Sequence, residues 1–264
     1  MTLMDRDMWQ IYAVRYAHHH RTARENVIGG DPHDNSPMPM DYFVWAAVSN
    51  DKVFVVDTGF DQAMARKRGR EFLHPPAEGL KAIGVEPEKV GDVILTHMHY
   101  DHSGNHDLFP NARYHVQDRE MKFCTGRWMT HPHARMPFEG EDVVAMVRRL
   151  YSGRVVFHDG DEEIAPGLSL HHVGGHSMGL QMVRAKTRRG NVVLASDAAH
   201  YYANIERGLP YPITFNIGEV MEGYRRAYAL ASSPEHVIPG HDPLVLERYP
   251  AARPELAGWV VRLD

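Results

Sequence analysis

Short apolar runs closed by turn formers dominate the chain, and few stretches show the 3.6-residue recurrence of an amphipathic helix. IYAVRYA reads as a strand, and the His18-His19-His20 run after it reads as a solvated edge or loop. GGDPHDNSPMPM, Gly29 to Met40, is a long loop by its turn formers. YFVWAAVSN and KVFVVDTGF predict two strands joined at Ser49-Asn50-Asp51. A short helix is expected from Pro76 to Ile83, stopped at Gly84, and EDVVAMVRRLYSG predicts another, closed by Gly153. Val93 to Leu95 is a buried strand that breaks at Thr96, and ARYHVQ is a further strand. RVVFHDG, LSLHHVGG, LQMVRAKT, NVVLASDA and HVIPGH follow as short β-type segments. Between the last two, IGEVMEGYRRAYALASS reads as a helix with Asn216 and Glu219 as a capping box and Pro234 past its end. Strands dominate, with helices interspersed, which suits two sheets covered by helices better than a doubly wound sheet. No repeat or linker divides residues 1–264, so one domain is expected.

Composition narrows the class. With 264 residues, 43% hydrophobic and 24% charged, the chain is an ordinary globular one. Its net charge of −5 argues against a nucleic-acid binder. No apolar run approaches the roughly 18 residues that cross a bilayer, and MTLMDRDMWQ is acidic where a secretory leader is basic. A cytoplasmic protein with no membrane partner is expected. The one cysteine, Cys124, can form no internal disulfide and reads as a small buried side chain.

The 19 histidines are the unusual feature. Four ligand-type residues, His97, His99, Asp101 and His102, lie in Thr96-His-Met-His-Tyr-Asp-His-Ser-Gly104 at the end of an apolar strand. His97 and His99 can project toward one ion while Asp101 and His102 turn toward a second; imidazole and carboxylate suit borderline cations such as zinc. Two ions need more ligands, and His176, Asp197 and His241 each stand at or after the end of a short apolar strand.

This ordered set, His-x-His-x-Asp-His, Gly-His-Ser, Asp, His, resembles the metallo-β-lactamase superfamily, as does KVFVVDTG with its Asp57. The resemblance implies an α/β architecture, an αββα sandwich of two mixed sheets flanked by helices. It also implies two divalent ions, zinc first, with iron, manganese and cobalt also suited. One would be held by His97, His99 and His176, the other by Asp101, His102 and His241, with Asp197 bridging and Asp57 ordering the loop. Aspartate at 197, where true β-lactamases of this fold place a cysteine, demotes β-lactam hydrolysis; no room for an RNA-binding arm or inserted domain demotes the nucleases.

Among the remaining branches the chain is most similar to the N-acyl homoserine lactonase, or quorum-quenching, group. That implies a small-molecule lactone or ester substrate, opened by a hydroxide formed at the ion pair, with Asp101 carrying the proton to the leaving group. The group has a tyrosine three residues after the bridging aspartate, whereas this chain has His200 followed by Tyr201 and Tyr202. Of His200 and Tyr201, the phenol is preferred as carbonyl donor because it stays neutral. Phe123 to Phe138 could wall an apolar pocket or simply cover the core; Arg127 and Arg135 could meet a substrate carboxylate or be solvated. The alternatives are a glyoxalase II-like thioesterase, weakened by the short stretch after His241, and a non-enzymatic metal-binding protein on the same fold. A homodimer is compatible with all three.

Overall fold

The computed structural model describes residues 7–264. Residues 1–6, part of the stretch read as lacking a leader, lie outside that range. Along the chain β1 (Gln10–His19), β2 (Met40–Val48), β3 (Val53–Val56), β4 (Glu71–Phe72), β5 (Asp92–Ile94), β6 (Arg113–Gln117) and β7 (Val155–His158) build a first sheet. A second comprises β8 (Glu162–Ala165), β9 (Leu168–His172), β10 (Gln181–Thr187), β11 (Gly190–Ser196) and β12 (Val237–Pro239). The chain then returns to the first sheet as β13 (Val260–Arg262), beside β1.

The first sheet runs β13-β1-β2-β3-β5-β6-β7, with β4 paired to the end of β1. Its β1–β2–β3 part is antiparallel and its β3–β5–β6–β7 part parallel. The second runs β12-β11-β10-β9-β8, parallel only between β11 and β12. Both are therefore mixed, as expected.

Strand alternation explains the layers. On β2, Phe43, Trp45 and Ala47 pack between the sheets with Val183, Ala185, Val192 and Leu194 of β10 and β11. Tyr42, Val44 and Ala46 point the other way, into a core that includes Leu80, Met121 and Met146 from the outer helices. Val193 and Ala195 do the same on the second sheet, meeting Val220, Tyr224 and Ala227 of helix Ile217–Leu230. A strand apolar on both faces is the sequence mark of a sheet covered on both sides.

Most expected elements are present within a residue or two. Three short strands, β4, β8 and β13, were not anticipated. His18 and His19 lie inside β1 and are partly buried, with His18 Nδ1 2.6 Å from Asp41 Oδ1, so they are no solvated loop. Among the described residues no helix is long and apolar enough to cross a membrane.

One outer helix carries a misfit charge. Asp142, in the first turn of helix Gly140–Tyr151, is buried with Oδ2 unpartnered. Burial, then Glu139 and Asp61, push its carboxyl up to about 7. A folded pKa above the unfolded one favours folding most below the ordinary value of 3.8, and the benefit is lost as pH rises through about 7. Asp142→Asn should therefore melt above the parent by roughly 2–4 °C or more at pH 8, with the gap widening from pH 5 to pH 8 in calorimetry. A gap independent of pH would contradict this assignment.

Candidate metal centre

Four strand ends meet at one rim of the sandwich. Parallel pairing matches Val56 of β3 with Ile94 of β5, and Ser196 of β11 with Pro239 of β12. The residues that follow, Asp57, Thr96 to His102, Asp197 and His241, therefore leave the sheets at the same edge. Asp57 (φ 62°) and Ser196 (φ 47°) adopt left-handed backbone without being glycine. Such strain costs about 1–3 kcal/mol per residue and persists where surroundings over-determine it. His176 arrives on the turn after β9, and Asp101 and His102 sit on a short helical turn, Tyr100–Ser103, rather than in open loop.

The rim gathers the histidines into two sets. His97, His99 and His176 place ring nitrogens within 4.8 Å of one another, and Asp101, His102 and His241 do the same with a carboxylate oxygen. Asp197 lies between them. Its Oδ1 is 3.3 Å from His102 Nε2 and 3.2 Å from His241 Nε2; its Oδ2 is 3.2 Å from His176 Nε2 and 3.0 Å from His200 Nε2. The seven residues singled out in sequence come together here, and His200 joins them.

A layer behind fixes the rings. The Asp57 carboxylate accepts from Thr96 N at 2.7 Å and meets His102 Nδ1 at 2.7 Å, which leaves His102 Nε2 for the rim. His241 Nδ1 donates to the Asp41 carbonyl at 2.9 Å, with the same result. Glu120, wholly buried, accepts from Met98 N at 2.8 Å and Gly179 N at 2.9 Å, tying the first histidine loop to the third histidine's loop. Sequence reading missed Glu120, because nothing local marks a carboxylate whose partners are backbone groups far along the chain. Glu219 differs from expectation too. Asn216 caps the helix as expected, its Oδ1 accepting from Glu219 N at 3.3 Å, but the Glu219 carboxylate does not return to the cap's backbone: Oε1 accepts from Asn216 Nδ2 at 3.0 Å and Oε2 from Gly175 N at 3.0 Å, so it holds the His176 turn.

Electrostatics follow from burial. Desolvation first, then the neighbouring imidazoles, hold His97 and His99 well below the usual histidine range, and His176 down to about 3. Burial also opposes charge on His102 and His241, but Asp197 and Asp101 outweigh it and raise both. Asp197 is depressed because His241, His102, His200 and His176 overcome its desolvation. Buried His97 Nε2, His102 Nε2 and His176 Nδ1 have no hydrogen-bond partner among the described residues. Imidazole nitrogens gathered with carboxylate oxygens, two of them (His97 Nε2 and His102 Nε2) without a hydrogen-bond partner, are the donor set of borderline divalent cations, and the residues fit such ions.

Two spaces open onto this rim. A cavity of about 420 Å³ is lined by Phe123, Trp128, His131, Pro137, Ile213 and Phe215 among others, so the Phe123–Phe138 segment does form a wall. Neither Arg127 nor Arg135 lines it. A narrow cleft of about 60 Å³ lies on the other side of His99 and His176. His200 faces that cleft. The preference for Tyr201 over His200 is corrected: the Tyr201 hydroxyl accepts from Asn26 Nδ2 at 2.7 Å and donates to the Met38 carbonyl at 3.2 Å, away from the rim. Cys124 is buried, as expected, and burial pushes its thiol far up, which leaves it inert.

A sequence profile described as the metallo-beta-lactamase superfamily matches residues 39–241. An N-acyl homoserine lactonase of Bacillus thuringiensis is 29% identical over 133 residues, 50% of this chain and 48% of that protein. N-acyl homoserine lactonase AttM of Azorhizobium caulinodans is 27% identical over 178 residues, 62% of each. The aligned part thus spans about half the length of the Bacillus relative. A solved quorum-quenching N-acyl homoserine lactone lactonase superposes with a TM-score of 0.74 at 21% identity, covering 90% of this chain and 94% of that one. The hydrolase AbOPH, also solved, superposes at 0.70 with 17% identity, covering 91% and 88%.

Gly240 makes room for the central carboxylate. A Cβ there would come within 2.6 Å of Asp197 Oδ1 and 2.9 Å of the Ser196 backbone. Gly240→Ala should therefore reduce bound metal, read by elemental analysis, and lower the melting temperature. Unchanged metal content and stability would contradict the packing described.

Proposed function

The chain belongs to the metallo-β-lactamase superfamily, and on that premise we propose that it is a dinuclear-metal hydrolase that opens a lactone or cleaves a related carboxylic ester. The observation that carries this reading is Asp197, which stands between the two sets with Oδ1 toward His102, Oδ2 toward His176 and both oxygens 3.2 Å from His241 Nε2. The whole-chain fold shared with lactonases and the partial sequence match support the lactone class. Two divalent cations held by His97, His99 and His176, and by Asp101, His102 and His241, with Asp197 between, would acidify a water and polarise a carbonyl.

The chain's own residues do the rest. His200 Nε2 faces a carboxylate oxygen at 3.0 Å, so that nitrogen carries the ring's proton. Burial lowers the His200 pKa, which keeps it a neutral donor. It packs against the Tyr211 ring, centroids 3.8 Å apart and planes tilted by 31°, which restricts its orientation. A carbonyl oxygen arriving beside Asp197 would take this one proton over from the Asp197 carboxylate, and so receive from His200 the hydrogen bond that tyrosine gives in the lactonase group. Asp101, lining the narrow cleft, is placed to take a proton from water and return it to the leaving alcohol. Phe123, Trp128 and Phe215 shield an apolar substituent from water.

A panel of lactones, esters, thioesters and a cephalosporin on metal-replete protein tests the reading. Lactones or esters should be the best substrates, and preference for thioesters would favour the glyoxalase II-like alternative. Elemental analysis should find about two ions per chain, the ligand count of a two-cation site, and Asp197→Ala should lower both occupancy and turnover. His200→Ala should cut turnover by about 10²-fold, the scale of one lost oxyanion donor, with metal retained, while Tyr201→Phe should be mild. Turnover should fall in acid, because histidine ligands must be neutral to hold a cation; activity flat to about pH 4 would defeat the proposal.

A further inference from the structure

The narrow cleft has a wall that the chemistry above does not use. Antiparallel pairing matches Ala17 of β1 with Phe72 of β4, and His18 with Glu71. The residues just beyond that ladder, Arg21 on one side and Arg68 and Arg70 on the other, come to line the cleft together with Asp101 and His241. Three guanidiniums in one small space repel one another unless anions answer them. Arg68 is answered: it pairs with Glu139 and donates to the Met136 carbonyl at 2.7 Å.

Arg70 and Arg21 have no ion-pair partner among the described residues, although Asp101 in the same cleft acts on Arg70 from a distance. Arg70 gives Nε to the Tyr100 hydroxyl at 3.1 Å, and Nη1 to the Arg68 carbonyl at 2.6 Å and to His19 Nε2 at 3.2 Å, while Nη2 makes no hydrogen bond among the described residues. Arg21 gives Nη2 to the Glu25 carbonyl at 2.7 Å, and Nη1 reaches only the Met40 sulfur at 3.5 Å. Its buried Nε has no partner. Neither guanidinium meets a carboxylate within ion-pair distance among the described residues. Their field is felt nearby: burial first, then Arg70 and Arg21, push His19 down to about 4, so it stays neutral. The Tyr42 hydroxyl on the same wall is pushed up to about 12 by burial and remains a neutral donor.

The two spaces also differ in kind. The 420 Å³ cavity is walled largely by aromatic and apolar side chains and imidazoles, whereas the 60 Å³ cleft runs from the guanidiniums at one end to Asp101, Asp197, His200 and His241 at the other. Both reach His99 and His176. We propose that the substrate is bipartite: an apolar substituent fills the large cavity, and a carboxylate enters the narrow cleft, bound by Arg70 and Arg21, with the scissile carbonyl between them at Asp197. This inference rests on the hydrolase reading and narrows its substrate class to lactones or esters that carry a carboxylate. A guanidinium fork already fixed by neighbouring carbonyls loses little freedom in binding a carboxylate.

The test compares two alkyl-substituted lactones, one bearing a ring carboxylate and one bearing the uncharged carboxamide. The parent should prefer the carboxylate in kcat/KM by about tenfold or more, the scale of a hydrogen bond to a charged group. Arg70→Gln should bring that ratio toward unity by raising KM for the carboxylate, and Arg21→Gln, whose partners are different, serves as an independent variant. A second readout is calorimetric titration of the metal-free protein with the hydroxydicarboxylate formed by ring opening. Binding there should weaken about tenfold or more in Arg70→Gln. Equal use of both lactones by the parent, or variants that keep the parent ratio, would overturn the carboxylate assignment while leaving the hydrolase reading intact. If neither lactone is opened, the titration decides alone, and the hydrolase reading stands or falls on the wider substrate panel: unchanged affinity in Arg70→Gln overturns this inference, and the expected loss upholds it.

Discussion

Six imidazoles and two carboxylates are buried against one another at one edge of the sandwich, and the energetic cost of that assembly constrains everything around it. Desolvation opposes charge on each ring, and each charged ring would oppose the next. Such a cluster does not form by local preference. It is held by rigid parts: strand ends in parallel register, two non-glycine residues in left-handed backbone, and carboxylates that grip ring nitrogens or loop amides from behind. The scaffold is stiff at this rim because a looser one would let the rings separate.

The two sheets share the task unequally. The first sheet supplies His97, His99, Asp101 and His102 from one short segment, together with Asp57 that orients it. The second supplies Asp197 and His241 from neighbouring strand ends and His176 from a turn. Glu120 spans the gap by accepting from a backbone amide of each loop. Burial raises its pKa, which its backbone hydrogen bonds only partly counter. This interior carboxylate ties the two loops to one another.

Legibility from sequence followed the range of the interactions. The strands that end in ligands were readable, because an apolar run that breaks at a histidine or aspartate is a local pattern. Helix Ile217–Leu230 was readable for the same reason, yet the second oxygen of Glu219 was not, since its partner Gly175 lies far back in the chain. Tyr201 was preferred on the intrinsic chemistry of phenol. The backbone turn after Asp197 instead points His200 to the rim and Tyr201 toward Asn26. β4 has only two residues, too short for any periodicity, and with it went the placement of Arg70. Asp41 contributes through its carbonyl oxygen, which no side-chain pattern reveals.

The short β1–β4 ladder has a consequence for how such a protein can diversify. The histidines and aspartates of the rim are buried at strand ends and on the short turns that follow them, where most substitutions disturb the fold. The guanidinium wall hangs instead on a two-residue ladder at the margin, and the aromatic wall on the Phe123–Phe138 segment outside both sheets. Substitution at either margin would therefore alter the lining of one space and leave the buried histidine cluster in place. The two walls rest on separate segments, so a change in one need not disturb the other.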